Sequence, residues 1–489
     1  MSRNERAATA GDRTRGRLAV RAVVLATVAI VCVILPQSAS AVVATGGNGR
    51  FVGAIDWVVW GTNNQTLDLS GPITRMSTST YGGQTLVVSC TISNFARAGG
   101  GTPTLRAYRS GNWGGDALDE LYNIGGEDGA NTLVNGLSAF AQQVSFDFAC
   151  NATLDGNPYP LNGLVFADGE QSTGNEFVSG EIADSATWRL IDRNRDCAND
   201  SRVLRTVAGG TDTLRLDNPA STLCPTGPAG VAFADGATSG RITVNGGGVS
   251  AVALGAVLTF DHGDAPASYG DAVHAVQFSF TGGVPPVGAS ALFGGNTLAD
   301  TTQPSLHLGP SVDPEAGTAT AGADGDDASP TGAFGPGDDE TDDPPATITV
   351  AAGGSYTLPG VACTGTGSVA GWIDFDGDGV FGGDERSQTA ACTTGSVALT
   401  WSVPADLAPQ PTSYLRLRFA RNSNAAQIAA PSGLALSGEV EDHVLAIALD
   451  PNPVPLVDPR LAGLVALLLA MIGGGVYSVR RLRSSGQPA

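Results

Sequence analysis

The chain has 489 residues, 67 of them glycine and 28 proline, with 15% charged residues and a formal net charge of −21. That length suits two or three domains, each able to bury a core of its own. The acidic balance excludes a nucleic-acid partner, since no basic surface exists to displace counterions from phosphates, and it favours solubility and divalent cations.

The amino terminus reads as a secretory signal over residues 1–41. A polar, arginine-bearing leader precedes an apolar run at residues 22–35, and Ala39-Ser40-Ala41 forms a small-residue cleavage site. Setting aside the 6 basic and 2 acidic residues of this leader, and the 4 arginines from Arg460 onward, leaves a formal charge of −29 on the exported body.

Residues 42–260 carry many short apolar runs, among them 85–92, 143–148 and 249–260, broken by Gly, Asn, Asp and Thr. Long amphipathic helices are hard to find, so the expected class is all-β: a lectin-like or jelly-roll β-sandwich followed by a second, smaller one. Trp57 and Trp60 lie three apart and so face opposite sides of a strand, which favours core packing for both. Trp113, in Ser110-Gly111-Asn112-Trp113-Gly114-Gly115, sits in a loop and is the better candidate for stacking on a ligand.

Cys32 leaves with the leader, and the body keeps Cys90, Cys150, Cys197, Cys224, Cys363 and Cys392. An even number in an exported chain argues for disulfides. Sequence proximity favours 90–150, 197–224 and 363–392, although other connectivities stay open. Metal ligation by cysteine is a poor alternative, because no Cys-x-x-Cys pair exists.

A different texture starts at Asp261-His262-Gly263-Asp264-Ala265-Pro266, and residues 261–345 read as an acidic, glycine-rich connector, flexible and solvated from 313 onward. Asp261 and Asp264 either pin a domain junction or join Asp326, Asp327, Asp339 and Glu340 in a second calcium site. Catalysis by an acidic pair is disfavoured. The four histidines, His262, His274, His307 and His443, lie outside any Gly-x-Ser-x-Gly or His-Glu-x-x-His context.

Strands resume over residues 346–449 and flank an acidic loop. Asp374, Asp376, Asp378 and Glu385 occupy positions 1, 3, 5 and 12 of that loop, and Gly379 occupies position 6. This is the oxygen-ligand spacing of a calcium loop, to which the carbonyl of Val380 adds a further ligand. The rival reading is a solvated acidic hairpin tip. Alternation over residues 368–375, 397–403 and 415–419 makes the flanks strands, so the expected cation is structural rather than the switch of a helix–loop–helix sensor.

Residues 450–460 are proline-rich, residues 461–479 are uncharged and long enough to cross a bilayer, and residues 480–489 hold a basic tail expected on the cytoplasmic side. This order resembles the IPTL-CTERM and PEP-CTERM sorting signals, which implies a sorting protease as a partner. Val454-Pro455-Leu456 approximates the usual start, whereas the serine–glutamate–tryptophan continuation is absent. A plain single-pass anchor is the alternative.

Gly438-Glu439-Val440-Glu441-Asp442, together with Trp372-Ile373-Asp374-Phe375-Asp376-Gly377-Asp378-Gly379, resembles the GEVED domain of bacterial surface proteins, with His443 where a tyrosine is usual. Such proteins open on Asp-Tyr-Gly-Asp-Ala-Pro, which here reads Asp261-His262-Gly263-Asp264-Ala265-Pro266. The preceding segment resembles non-repetitive domain 2 of CshA-type adhesins, on its tryptophan-bearing opening and the later layout. The resemblance implies a non-enzymatic, cell-surface adhesin that binds an extracellular protein or glycan through its first domain, with calcium stiffening the second as a stalk. A structural envelope or biofilm matrix component and a secreted carbohydrate-active enzyme are the alternatives.

Overall fold

Two strands organise the first half of the molecule. Val134–Leu154 and Ser239–Val257, 21 and 19 residues long, pair antiparallel along most of their length. They far exceed the ordinary strand because each serves two layers. At one end Val134–Leu154 pairs with Gln84–Arg97, which pairs in turn with Ile73–Tyr81. On the same level Ser239–Val257 pairs with Phe177–Ala183, followed outward by Thr211–Asp217 and Arg202–Ala208. At the other end the two long strands pair with Arg106–Arg109 and Gly163–Asp168, and the latter continues to Ala229–Asp235 and Thr187–Asn194.

The bend between the levels has a local cause. The central register shifts between Gly246 and Val249, opposite Ala141 at φ 50°. A bulge of this kind kinks the sheet and moves the alternation by one residue. Val144 and Phe146 face the core on one side of it, and Leu137 and Ala139 on the other. The layers close on a shared core that includes Trp60, Phe148, Phe166, Trp188 and Leu254.

The second layer is buried on both faces. Along Gly163–Asp168, Leu164 and Phe166 enter the shared core, while Val165 and Ala167 enter a second cluster with Phe51, Trp57, Phe233 and Phe280. Trp57 and Trp60 thus lie in different clusters, both fully buried, as their spacing predicts.

The computed structural model describes residues 38–40, 43–111, 117–123, 134–170, 172, 175–194, 202–217, 229–291, 296–312, 319–324 and 344–451. All of them belong to one unit, Gln37–Ala489. Trp113, Cys197, Cys224, the apolar part of the leader, and residues 452–489 with the expected span lie outside the described residues. Among those described, no helix is long and apolar enough to cross a membrane. The disulfides Cys90–Cys150 and Cys363–Cys392 are formed, the two of the favoured pairings that fall within this range.

In the second half Ser355–Ile373 pairs with Ala390–Ser402 and Gln410–Arg421. Gln410–Arg421 pairs with Glu439–Leu449, which takes Thr347–Val350 alongside in parallel. Val369, Phe375, Trp401, Leu417 and Phe419 fill this core. The molecule is all-β, as expected.

One expectation needs correction. The segment assigned to a connector, 261–345, is built structure through Val312. Phe260–His262 and Ala272–Ala275 pair with each other, and Ala272–Ala275 takes Gly433–Ala435 in parallel. Gly288–Ala291 extends the first sheet, and His307–Leu308 the second. Buried apolar side chains at Val273, Phe278, Phe280, Leu306 and Leu308 anchor it, an apolar content that the flanking acidic and glycine residues dilute. In the strand that carries residues 415–419, Arg416 and Arg418 alternate with the core residues yet are both 0% exposed. The face they occupy is covered by residues 261–275 and 427–433.

Candidate metal centre and the junction beside it

The strand Ser355–Ile373 runs directly into the acidic loop, whose neck is closed by Ile373 N–H donating to Glu385 O (3.2 Å) and Ser387 N–H to Gly371 O (2.8 Å). The loop then curls around its own carboxylates. Asp374 is buried; its Oδ1 accepts Gly377 N–H at 2.7 Å and its Oδ2 accepts Gly379 N–H at 3.1 Å. Asp376 accepts Asp378 N–H (3.1 Å), and Asp378 accepts Val380 N–H (3.0 Å), each in a tight side-chain turn. Gly379 adopts φ 83°, the left-handed turn its position requires.

One oxygen from each of Asp374, Asp376 and Asp378 lies within 4.8 Å of the others, the one acidic, Cys or His cluster of this compactness among the described residues. Glu385 is not part of that group. It is buried, with Oε1 accepting Phe375 N–H (2.6 Å) and Oε2 accepting Gly382 N–H (2.7 Å). Val380 sits in the same turn through its N–H to Asp378.

Electrostatics leave the loop short of positive charge. Burial pushes the Glu385 carboxyl up to about 7, against the pull of its amide donors. Asp376 is also raised, first by loss of surrounding water and then by the charges of Asp378 and Asp374. These are hard oxygen donors of like charge gathered in one place, the donor set that suits calcium.

Sequence reasoning missed what holds the loop from behind. The Tyr269 hydroxyl donates to Asp374 Oδ2 at 2.6 Å, and its ring packs on Phe381 and Tyr414 at 4.6 and 4.8 Å between centroids. Ser413 Oγ donates to the Asp374 carbonyl at 2.6 Å. Tyr269 lies a few residues beyond the Asp261-His262-Gly263-Asp264-Ala265-Pro266 motif, so that motif is part of the loop's support.

The same motif meets the Gly438–Asp442 motif. Val440 N–H donates to Asp261 Oδ2 (2.7 Å), and Ala265 N–H donates to Asp442 Oδ2 (2.8 Å). Asp442 also forms a two-pronged pair with Arg416, Nε to Oδ1 at 2.7 Å and Nη2 to Oδ2 at 2.6 Å, with both side chains 0% exposed. The third guanidinium nitrogen of Arg416 donates to the carbonyls of Tyr269, Gly270 and Pro431. Arg418 donates to His274 Nε2 (3.0 Å) and to four carbonyls of residues 427–433. Glu439 accepts Leu308 N–H. Asp261 therefore pins a junction, the first of its two sequence readings, while Asp326, Asp327, Asp339 and Glu340 of the second reading lie outside the described residues.

Comparison with known proteins finds family matches over two separate stretches of the chain. Residues 53–258 match the family model for the surface adhesin CshA non-repetitive domain 2, and residues 368–446 match that for the GEVED domain. No curated protein matches the chain. Among solved structures, the N-terminal domain of the Streptococcus gordonii adhesin Sgo0707 aligns at 8% identity over 85% of this chain and 98% of that one, with a TM-score of 0.27.

Proposed function

We propose that this chain is an exported bacterial cell-surface adhesin, a non-enzymatic protein that binds an extracellular protein or glycan through its first sandwich. The match of that sandwich to an adhesin domain carries the reading. In it, calcium occupies the loop of Asp374, Asp376 and Asp378 and stiffens the second module as a stalk. Residues 461–479 anchor the chain in the membrane, or present it to a sorting protease. The carboxylate spacing, the raised Glu385 and the hard-oxygen donor set support the cation. Glu385 joins the shell if its carboxylate turns from the amides of Phe375 and Gly382 toward the three aspartates.

Two measurements test the reading. Cells displaying the chain should adhere to surfaces coated with matrix proteins or glycans, and cells lacking it should not; equal adhesion sinks the function. For the cation, the full chain should melt higher in calcium than in EDTA, and Asp376→Ala with Asp378→Ala should abolish the difference. Identical melting of the unaltered chain in both buffers removes calcium from the account.

A further inference from the structure

Before the bulge at Ala141, Ser138 and Phe140 alternate with the core residues Leu137 and Ala139 and so face outward, and Gln142, just past the bulge, completes their row along one cavity. Arg106 lies directly across from Ser138, and Thr104, Arg106 and Tyr108 form the adjoining row. These two rows line a cavity of about 520 Å³, edged by Asn64, Glu170 and Val249. That volume falls within the roughly 300–1,000 Å³ of small-ligand pockets.

We propose that this cavity binds an uncharged saccharide; the proposal rests on the reading of the first sandwich as the binding module. Phe140 is 64% exposed, the one aromatic among the large apolar side chains left in solvent across the described residues. An exposed ring at the edge of a polar cavity offers a platform for the C–H face of a pyranose. Around it stand groups suited to hydroxyls. Gln142 is held in place by Nε2 donating to Thr104 O (3.1 Å) and Oε1 accepting Thr104 N–H (3.3 Å). Arg106 is exposed and supplies donors, and Glu170 supplies acceptors.

Two observations narrow the ligand class. Arg106 is the one cation of the lining and Glu170 the one anion, so the site has no excess positive charge for a sialylated, sulfated or phosphorylated group. The net charge of −21 repels such groups further. The backbone of the floor is already paired: Val134–Leu154 with Ser239–Val257 on one side and Arg106–Arg109 on the other, and Ala107 with Gln65 and Asn64 beyond. An extended peptide finds no strand edge here to add to.

The test screens the full chain against an array of neutral oligosaccharides, ending in glucose, galactose, mannose or N-acetylhexosamine, alongside sialylated and sulfated ones. Saturable binding of a neutral glycan is expected, weakened at least tenfold by Phe140→Ala and retained by Phe140→Trp. Because Phe140 is exposed, Phe140→Ala should melt as the unaltered chain does, which separates lost binding from lost folding. No glycan bound, binding to charged glycans alone, or binding indifferent to Phe140→Ala overturns the proposal. If displaying cells still adhere under those outcomes, the adhesin reading stands without this pocket. If they do not adhere, both fall.

Discussion

His274 is fully buried with both ring nitrogens engaged: Nδ1 faces the Ser437 carbonyl at 2.8 Å, and Nε2 faces the Nε–H of Arg418 at 3.0 Å. The partners dictate the neutral tautomer with its proton on Nδ1, since Nε2 must accept. Protonation would place a second cation against Arg418. Burial first, then Arg418 and Arg416, hold the imidazole well below its usual value, and burial likewise lowers Arg418 to about 9. The folded pKa is depressed, so above about 6.5 both states leave the ring neutral and its contribution is fully present. Below that pH the unfolded chain takes up a proton that the folded one refuses. Stability then falls with pH by about 1.4 kcal/mol per unit until the folded pKa is reached. Asp261 and Asp442 temper the cationic field at Arg418 but leave its direction unchanged. His274→Gln keeps a donor for Ser437 and an acceptor for Arg418 while removing the titration. We expect its urea unfolding free energy to decline less steeply than that of the unaltered chain between pH 6.5 and 5; equal slopes would show that His274 does not set this dependence. The difference between the two proteins matters, because Glu385, with its raised pKa, acts with the opposite sign in both.

At the scale of elements, Gln410–Arg421 shows what a pattern can and cannot tell. The alternation Leu415-Arg416-Leu417-Arg418-Phe419 identifies a strand and its apolar face correctly, since Leu415, Leu417 and Phe419 enter the core. It is silent on the environment of the other face, because period-2 patterning reports which side is polar and not whether that side is wet. The acidic loop was more legible: its spacing alone brings three aspartates together, and a glycine with positive φ sits where the turn needs one. Its support by Tyr269 was not legible, being a contact between residues 105 apart. The Arg416–Asp442 pair carries its own test. Both partners are dry, so removing one leaves a buried charge with its partner gone, a loss of about 3–5 kcal/mol for such pairs. Asp442→Ala should lower unfolding stability by that order and also release Ala265 N–H. Arg416→Met with Asp442→Leu should recover part of it, because neither charge then stays buried. A loss under about 1 kcal/mol in the single variant would mean that water reaches the site.

Across the whole molecule, composition identified two β modules and placed their contents well, but treated the stretch between them as a tether. Its acidic glycine-rich character is real from residue 313 onward, while the preceding fifty residues alternate between the two modules and bind them together. The clearest contact is the hairpin tip between Ile73–Tyr81 and Gln84–Arg97. Tyr81 stacks on Phe260 with ring centroids 3.7 Å apart, and Gly82 N–H donates to Asp271 Oδ2 at 2.9 Å. Gly82 has φ 53°, and a Cβ there would run into the backbone of Gly433 and Leu434, which has no flexible end to yield. A side chain at this point therefore has to push the second module away rather than repack. What a Cβ at Gly82 meets is the backbone of the second module and not the core of the first, so Gly82→Val should leave each sandwich folded and act on their docking. We expect the variant to show a larger radius of gyration by solution scattering, faster proteolysis within residues 261–275, and two thermal transitions where the unaltered chain has one. An unchanged radius with a single transition would mean that the remaining contacts, chiefly Gly288–Ala291 on the first sheet and His307–Leu308 on the second, hold the two modules as one body without the hairpin.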